Sequence, residues 1–247
     1  MKKTISIIIV FLFIINISYG QRWKRTRYEL VGAAGTTNYF GELGGANKQG
    51  THFLGDFDMN NTRYHLMVGA RYKIVEKVAV KLNFYYGRLN GSDAYTDYLP
   101  RKQRNASFTS NIFEPSIQCE YSILKERLGM RYTFQNIRRF KLYYVNTYVF
   151  VGIGGLVFNP HTTNKDFRTN KNESFKKFQG VIPLGVGFKY AINRISTIGI
   201  EFGQRYTTTD YLDGYSDIHS KARDSYSFIS INYTYKLKTT RSGLPKF

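Results

Sequence analysis

Arg63-Tyr64-His65-Leu66-Met67-Val68-Gly69-Ala70-Arg71-Tyr72 is the stretch on which the fold turns. With a period of two, Tyr64, Leu66, Val68, Ala70 and Tyr72 fall on one face, and Arg63, His65, Gly69 and Arg71 on the other. Successive side chains of a strand point to opposite faces, so this alternation describes a strand that is apolar on one side only. The pattern recurs along the chain. Val78, Val80, Leu82, Phe84 and Tyr86 alternate with Ala79, Lys81, Asn83, Tyr85 and Gly87. Phe113, Pro115, Ile117, Cys119, Tyr121 and Ile123 alternate with Glu114, Ser116, Gln118, Glu120 and Ser122. Ile182, Leu184, Val186, Phe188 and Tyr190 oppose Pro183, Gly185, Gly187 and Lys189, and Ile198, Ile200 and Phe202 oppose Gly199, Glu201, Gly203 and Arg205. Eight strands are expected, roughly 27–40, 63–74, 77–90, 111–123, 143–158, 179–191, 196–208 and 225–237. The first and fifth alternate less cleanly, because residues 149–154 are apolar or small on both faces.

The minor face separates a soluble from a membrane architecture. A lipocalin or a secreted β-sandwich, the alternative here, turns its polar face to water. In this chain the minor face carries carboxylates and cations at similar depth: Glu114, Glu120 and Glu201 with Arg71, Lys81, Lys189 and Arg205. The lumen of an eight-stranded barrel is only wide enough for side chains to fill it, so inward charges there must pair, while the apolar face meets lipid. The joints fit this arrangement: long polar ones (41–62, 91–110, 159–178, 209–224) take turns with short ones (75–76, 192–195), and a long middle connection near 124–142 stands apart. The sequence thus predicts an all-β fold, an eight-stranded antiparallel up-and-down transmembrane β-barrel of the outer-membrane type. Composition agrees. The 247 residues suit one domain, 17% aromatic residues argue against disorder, and a single cysteine, Cys119, excludes a disulfide scaffold.

Residues 1–20 read as a cleaved secretory signal peptide: basic Lys2-Lys3, an apolar run from Thr4 to Ile17, then Ser18-Tyr19-Gly20 ahead of Gln21. The barrel domain is then 21–247. With both termini in the periplasm, the long joints are extracellular. The outer loops sum to no net charge, whereas the periplasmic pieces carry +4 (21–27), +1 (73–77), +5 (124–142), +1 (191–196) and +4 (236–247). Basic runs of this kind contact solvent or lipid phosphate, or dock an acidic partner. The middle connection, with Arg127, Arg131, Arg138, Arg139 and Lys141, is the expected docking element. Nucleic acid does not suit an exported barrel.

No catalytic, cofactor or metal constellation stands out. His52, His65, His161 and His219 lack ligand spacing. Gly152-x-Gly154-Gly155 and Gly185-x-Gly187 have no following helix and read as lumen glycines rather than nucleotide loops. An outer-rim enzyme would need one of His52, His161 or His219 beside both a carboxylate and a hydroxyl. Two segments at the outer rim look specified: Asn38-Tyr39-Phe40-Gly41-Glu42-Leu43 and Thr209-Asp210-Tyr211-Leu212-Asp213-Gly214. They end the first and seventh strands, so in a closed barrel they can meet across the mouth.

These segments, with Phe158-Asn159-Pro160 and Gly199-Ile200-Glu201-Phe202-Gly203-Gln204-Arg205, resemble the PorG-like outer-membrane barrels of Bacteroidota. The resemblance implies a non-enzymatic component of the type IX secretion system, the gliding-associated export machinery. There the barrel would associate with a periplasmic ring of a lipoprotein and its partner protein, and it would need no cofactor. The competing expectation is a passive OmpA/OmpW-like barrel for small solutes or envelope stability. The signal peptide and the barrel pattern together place the chain, as an expectation, in the outer membrane of a Gram-negative cell, reached by the general secretory route.

Overall fold

The computed structural model describes residues 22–41, 59–95, 106–124, 145–163, 176–214, 223–240 and 244–246. Eight strands form a closed barrel in sequence order: β1 (Tyr28–Phe40), β2 (Arg63–Lys73), β3 (Val78–Ser92), β4 (Ser107–Ser122), β5 (Val145–Thr163), β6 (Phe178–Ala191), β7 (Ser196–Thr207) and β8 (Ser225–Lys236). Every neighbouring pair is antiparallel, and β1 closes on β8 from Glu29↔Lys236 to Phe40↔Ser225. A 3-10 turn, Arg22–Thr26, leads into β1, and β9 (Lys238–Thr239) pairs with β10 (Pro245–Lys246) beyond β8. The ladders skip rungs beside Pro115, between β4 and β5, and beside Pro183, between β5 and β6. Proline has no amide hydrogen to give a neighbouring strand.

The barrel is inside-out relative to a soluble protein. Val68, Ile153 and Ile231 on the outer wall are 64%, 71% and 60% exposed, while His65, Lys81 and Glu114 on the inner wall are 0% exposed. Exposed aromatics flank this apolar wall: Tyr72, Tyr121, Tyr233 and Tyr235 near the terminus end, and Tyr64, Tyr86, Phe113, Phe178 and Tyr206 near the opposite end. An apolar band between two aromatic girdles is the surface a barrel presents to a bilayer. Among the described residues no helix is long and apolar enough to cross a membrane.

Three strands run further than their alternation indicated. β3 reaches Ser92, β4 starts at Ser107 and β5 reaches Thr163, so rungs such as Arg88↔Asn111, Thr109↔His161 and Ser107↔Thr163 rise beyond the apolar band. Their outer faces are polar, which is why this extension reads as loop in the sequence.

Inside, the lumen has two storeys. Toward the long connections it holds an apolar cluster that includes Tyr39, Leu89, Phe108, Ile112, Leu156, Phe158, Leu212 and Phe228. Toward the termini it holds charges. Glycines make room for the large inward side chains: a Cβ on Gly187 would collide with the Tyr148 ring, and one on Gly35 would collide with the Ile229 carbonyl and the His65 ring.

Candidate functional site

The lower storey is an ion-pair network spanning the lumen. Arg71 on β2 donates from Nη1 to Glu29 Oε2 (2.7 Å) and from Nη2 to Glu120 Oε1 (3.0 Å), and its Nε lies 2.8 Å from Glu120 Oε2. Lys189 Nζ on β6 also donates to Glu120 Oε2 (3.0 Å). Lys81 on β3 reaches across to β7, donating to Glu201 Oε2 at 2.7 Å, with Glu120 Oε1 at 3.3 Å. Tyr148 and Tyr85 donate hydroxyls to the same Glu201 carboxylate, at 2.8 and 3.2 Å. Lys73 pairs with Glu29 at the terminus end. Each carboxylate therefore faces at least one cation, as burial of charge requires.

A second cluster sits above it. Arg205 Nε lies 3.6 Å from Glu114 Oε2, which also accepts the Tyr226 hydroxyl at 2.6 Å, and Arg205 Nη1 donates to the Gly203 carbonyl at 2.6 Å. The Arg205 guanidinium stacks 4.2 Å from the Phe228 centroid and 4.9 Å from that of Tyr85. Beside it His65 Nε2 shares a 2.8 Å hydrogen bond with Ser230 Oγ, and the imidazole stacks on Phe228. This Ser–His contact is fully enclosed, so it packs the lumen and offers no entry to a substrate.

All seven inward charges read from the alternation are buried in the lumen, Arg71, Lys81, Glu120, Lys189 and Glu201 in the lower network and Glu114 and Arg205 in the second cluster. Glu201 takes its cation from Lys81 across the lumen rather than from Lys189 on the adjacent strand, and Glu201 and Arg205 go to separate partners. Sequence reading missed Glu29 and Lys73, although Glu29 shares the inward parity of β1. It placed Tyr85 on the inward face without giving it a role, and it missed Tyr148 and Tyr226; the hydroxyls of all three complete the carboxylates. Tyr148 and Tyr226 lie near strand ends, where only parity marks them as inward.

The two rim segments meet at the mouth. Tyr39 donates to Asp224 Oδ1 at 2.6 Å and lies 3.0 Å from Asp213 Oδ2. Asp224 Oδ2 accepts the Leu212 amide at 2.9 Å, and the Asp213 carbonyl accepts the Thr162 hydroxyl at 2.6 Å. Phe108 packs edge-on against Tyr39. Asn38 accepts from the Thr62 hydroxyl at 2.6 Å, and Phe40 is buried. Gly41 abuts the Tyr39 hydroxyl, where a Cβ would collide, and Gly214, with a φ of 76°, closes the turn that begins at Tyr211. Burial pushes the Asp224 carboxyl well above the usual range, and neighbouring Asp213 adds to the shift. Asp210 lies next to this cluster, and Tyr211 donates its amide to Thr209 Oγ1 at 3.1 Å.

Of the rim histidines, His161 contacts Asn159 at 3.1 Å. Among the described residues no cluster of His, Cys, Asp and Glu could hold a metal ion. Cys119 is exposed on the outer wall. The expected signal segment 1–20, Glu42, Leu43, His52, His219 and the expected docking residues Arg127, Arg131, Arg138, Arg139 and Lys141 lie outside the described residues.

Solved structures similar to this chain include a major outer membrane protein of Thermus thermophilus (TM-score 0.44, 12% identity, covering 85% of this chain and 99% of that one). Neisserial surface protein A is another (0.43, 10%, 85% and 96%), as is OprG of Pseudomonas aeruginosa (0.41, 9%, 87% and 98%). A search of curated proteins finds none similar in sequence. Residues 2–236 match the family described as "Domain of unknown function (DUF6089)", and the chain belongs to that family.

Proposed function

We propose that the protein is a non-enzymatic outer-membrane barrel that anchors or organises a periplasmic assembly. In this reading the assembly is the lipoprotein-containing ring of the type IX secretion, or gliding-associated export, machinery. The observation that carries an anchor over a pore or an enzyme is the filled lumen. Arg71, Lys81, Glu201, Tyr148 and Phe228 are all 2% exposed or less, leaving neither a solute path nor substrate access to His65 and Ser230. What such a barrel can offer is its two ends. The terminus end is the basic one: Lys24, Arg25, Arg194 and Lys238 are exposed there, and the sequence between β4 and β5, two strands whose joined ends lie at this end, carries Arg127, Arg131, Arg138, Arg139 and Lys141. A one-sided positive field suits a partner of opposite charge. The resemblance to PorG-like barrels of Bacteroidota supplies the identity of the machinery.

Affinity purification from detergent extracts tests this. Recovery of ring components with the barrel is expected, and reversal of Arg127, Arg131, Arg138 and Arg139 to Glu should reduce it most at low salt, where charges are least screened. Recovery that is unchanged at low salt overturns the electrostatic anchor. The passive OmpA/OmpW-like reading draws on the buried amides of Asn83 and Gln118, which have no hydrogen-bond partner on the lumen wall.

A further inference from the structure

Trp23 is the only tryptophan of the chain, and it lies in the 3-10 turn that leads into β1 at the terminus end. Arg27 lies over its indole, 4.8 Å from the ring centroid, and donates from Nη1 to the Tyr72 hydroxyl at 3.3 Å. The Arg27 carbonyl accepts the Lys73 amide at 3.0 Å, which ties this corner to the end of β2. Tyr28 and Tyr72 pack with ring centroids 5.0 Å apart. On the same edge Lys77 Nζ stands 5.9 Å from the Tyr121 ring centroid, and Ile74 and Val75 are exposed in the turn between β2 and β3.

The rim treats its cations differently from the lumen. Inside, Arg71, Lys73, Lys81, Lys189 and Arg205 each face a carboxylate. At the rim, Arg27 and Lys77 form no ion pair among the described residues and rest on aromatic rings instead. A ring orients a cation and partly desolvates it without neutralising it. Cations held in this way stay available to an anion at the depth where interfacial aromatics mark the headgroup level of a bilayer.

We infer that this rim, with Arg27 held by Trp23 and Tyr72 and Lys77 by Tyr121, binds the phosphate headgroups of anionic phospholipid in the leaflet at the terminus end. Charge complementarity and continuity with the lipid-facing wall favour lipid as the occupant. The site uses the barrel rim and not residues 125–144, so it stands or falls separately from the anchoring role proposed above.

The lone tryptophan is its own reporter. The full chain, reconstituted in phosphatidylcholine, is titrated with brominated phosphatidylglycerol or brominated phosphatidylcholine while Trp23 fluorescence is followed. The anionic lipid should quench with about fivefold higher apparent affinity, the contribution of roughly one interfacial cation. Arg27→Gln with Lys77→Gln should bring the two lipids to parity, and Arg27→Lys should retain much of the preference. Heat-modifiable gel mobility checks that each variant is folded, and Lys77→Gln alone, in an exposed turn, provides the readout if the double variant fails to fold. Equal quenching by both lipids in the unaltered protein overturns the site, as does a preference that survives the double substitution. Displacement of the quenching lipid by inorganic phosphate assigns the site to free phosphate and overturns lipid as the occupant.

Discussion

Lys81 and Glu201 are 120 residues apart in the chain and 2.7 Å apart in the lumen. Neither can lose the other cheaply. Glu201→Leu leaves the Lys81 ammonium with Glu120 alone at 3.3 Å and deprives the Tyr85 and Tyr148 hydroxyls of their acceptor. Breaking a buried pair from one side costs about 3–5 kcal/mol, whereas replacing both charges is far milder. Glu201→Leu should therefore lower the temperature at which the barrel loses its compact gel mobility, and adding Lys81→Met should restore much of it. Arg194→Gln, in the exposed turn between β6 and β7, should leave that temperature unchanged. A second residue-scale prediction concerns shape rather than charge. Gly187 lies under the Tyr148 ring, so Gly187→Ala must displace Tyr148 from Glu201, at the ~1–3 kcal/mol typical of overpacking. A Cβ at Gly32 meets nothing within 4 Å, so Gly32→Ala on the outer wall should be near neutral in the same melting experiment.

At the scale of elements, the connection after β7 is fastened to β1 by Tyr39, Asp213 and Asp224. One phenol proton cannot serve two ionised carboxylates, so the cluster needs a further proton to be fully bonded. This agrees with the upward shift of Asp224, caused by burial first and by Asp213 second. A carboxyl whose folded pKa lies above its unfolded value stabilises the fold fully below the unfolded value, and the contribution is lost as pH rises through the folded one. The latch should thus weaken from about pH 4 upward. The Leu212 amide, bonded to Asp224 at 2.9 Å, reports it directly. Its protection from hydrogen exchange, corrected for intrinsic rate, should fall with rising pH and become less pH-dependent in Asp213→Asn. A profile that is the same in both proteins removes the shared proton. Asp224 carries no pattern in the sequence, since Arg223-Asp224-Ser225 reads as an ordinary loop end. The strands themselves were legible because lipid imposes a period of two on the outer wall. Where β3, β4 and β5 rise beyond the band, neither face has to alternate, and Ser92, Ser107 and Thr163 could not be read as strand ends. Inward charges were legible by parity, but which of them pair across the lumen depends on the stagger of the closed barrel, which no single strand reveals.

For the whole molecule, the two storeys act as seals in series. Eight strands leave a lumen that side chains can fill. Here Arg71, Lys81 and Tyr148 fill it toward the termini, while Phe108, Phe158, Leu212 and Tyr39 fill it toward the mouth. An ion entering from the terminus end would have to part Arg71 from Glu29 and Glu120, pass the Arg205–Glu114 pair, and then squeeze between the packed side chains of Phe108, Phe158 and Leu212. Single-channel recording in planar bilayers should accordingly show no steady conductance step. The series arrangement makes a sharper demand. Arg71→Ser with Tyr148→Ser opens only the charged storey, and Phe108→Ala with Phe158→Ala opens only the apolar one, so each pair should remain silent if the protein is still folded by gel mobility. Conductance should appear only when both pairs are combined. A steady step in the unaltered protein would mean that the lumen is a solute path and that the passive-pore reading replaces the anchor. A step in either paired variant would mean that one storey alone holds the barrel closed.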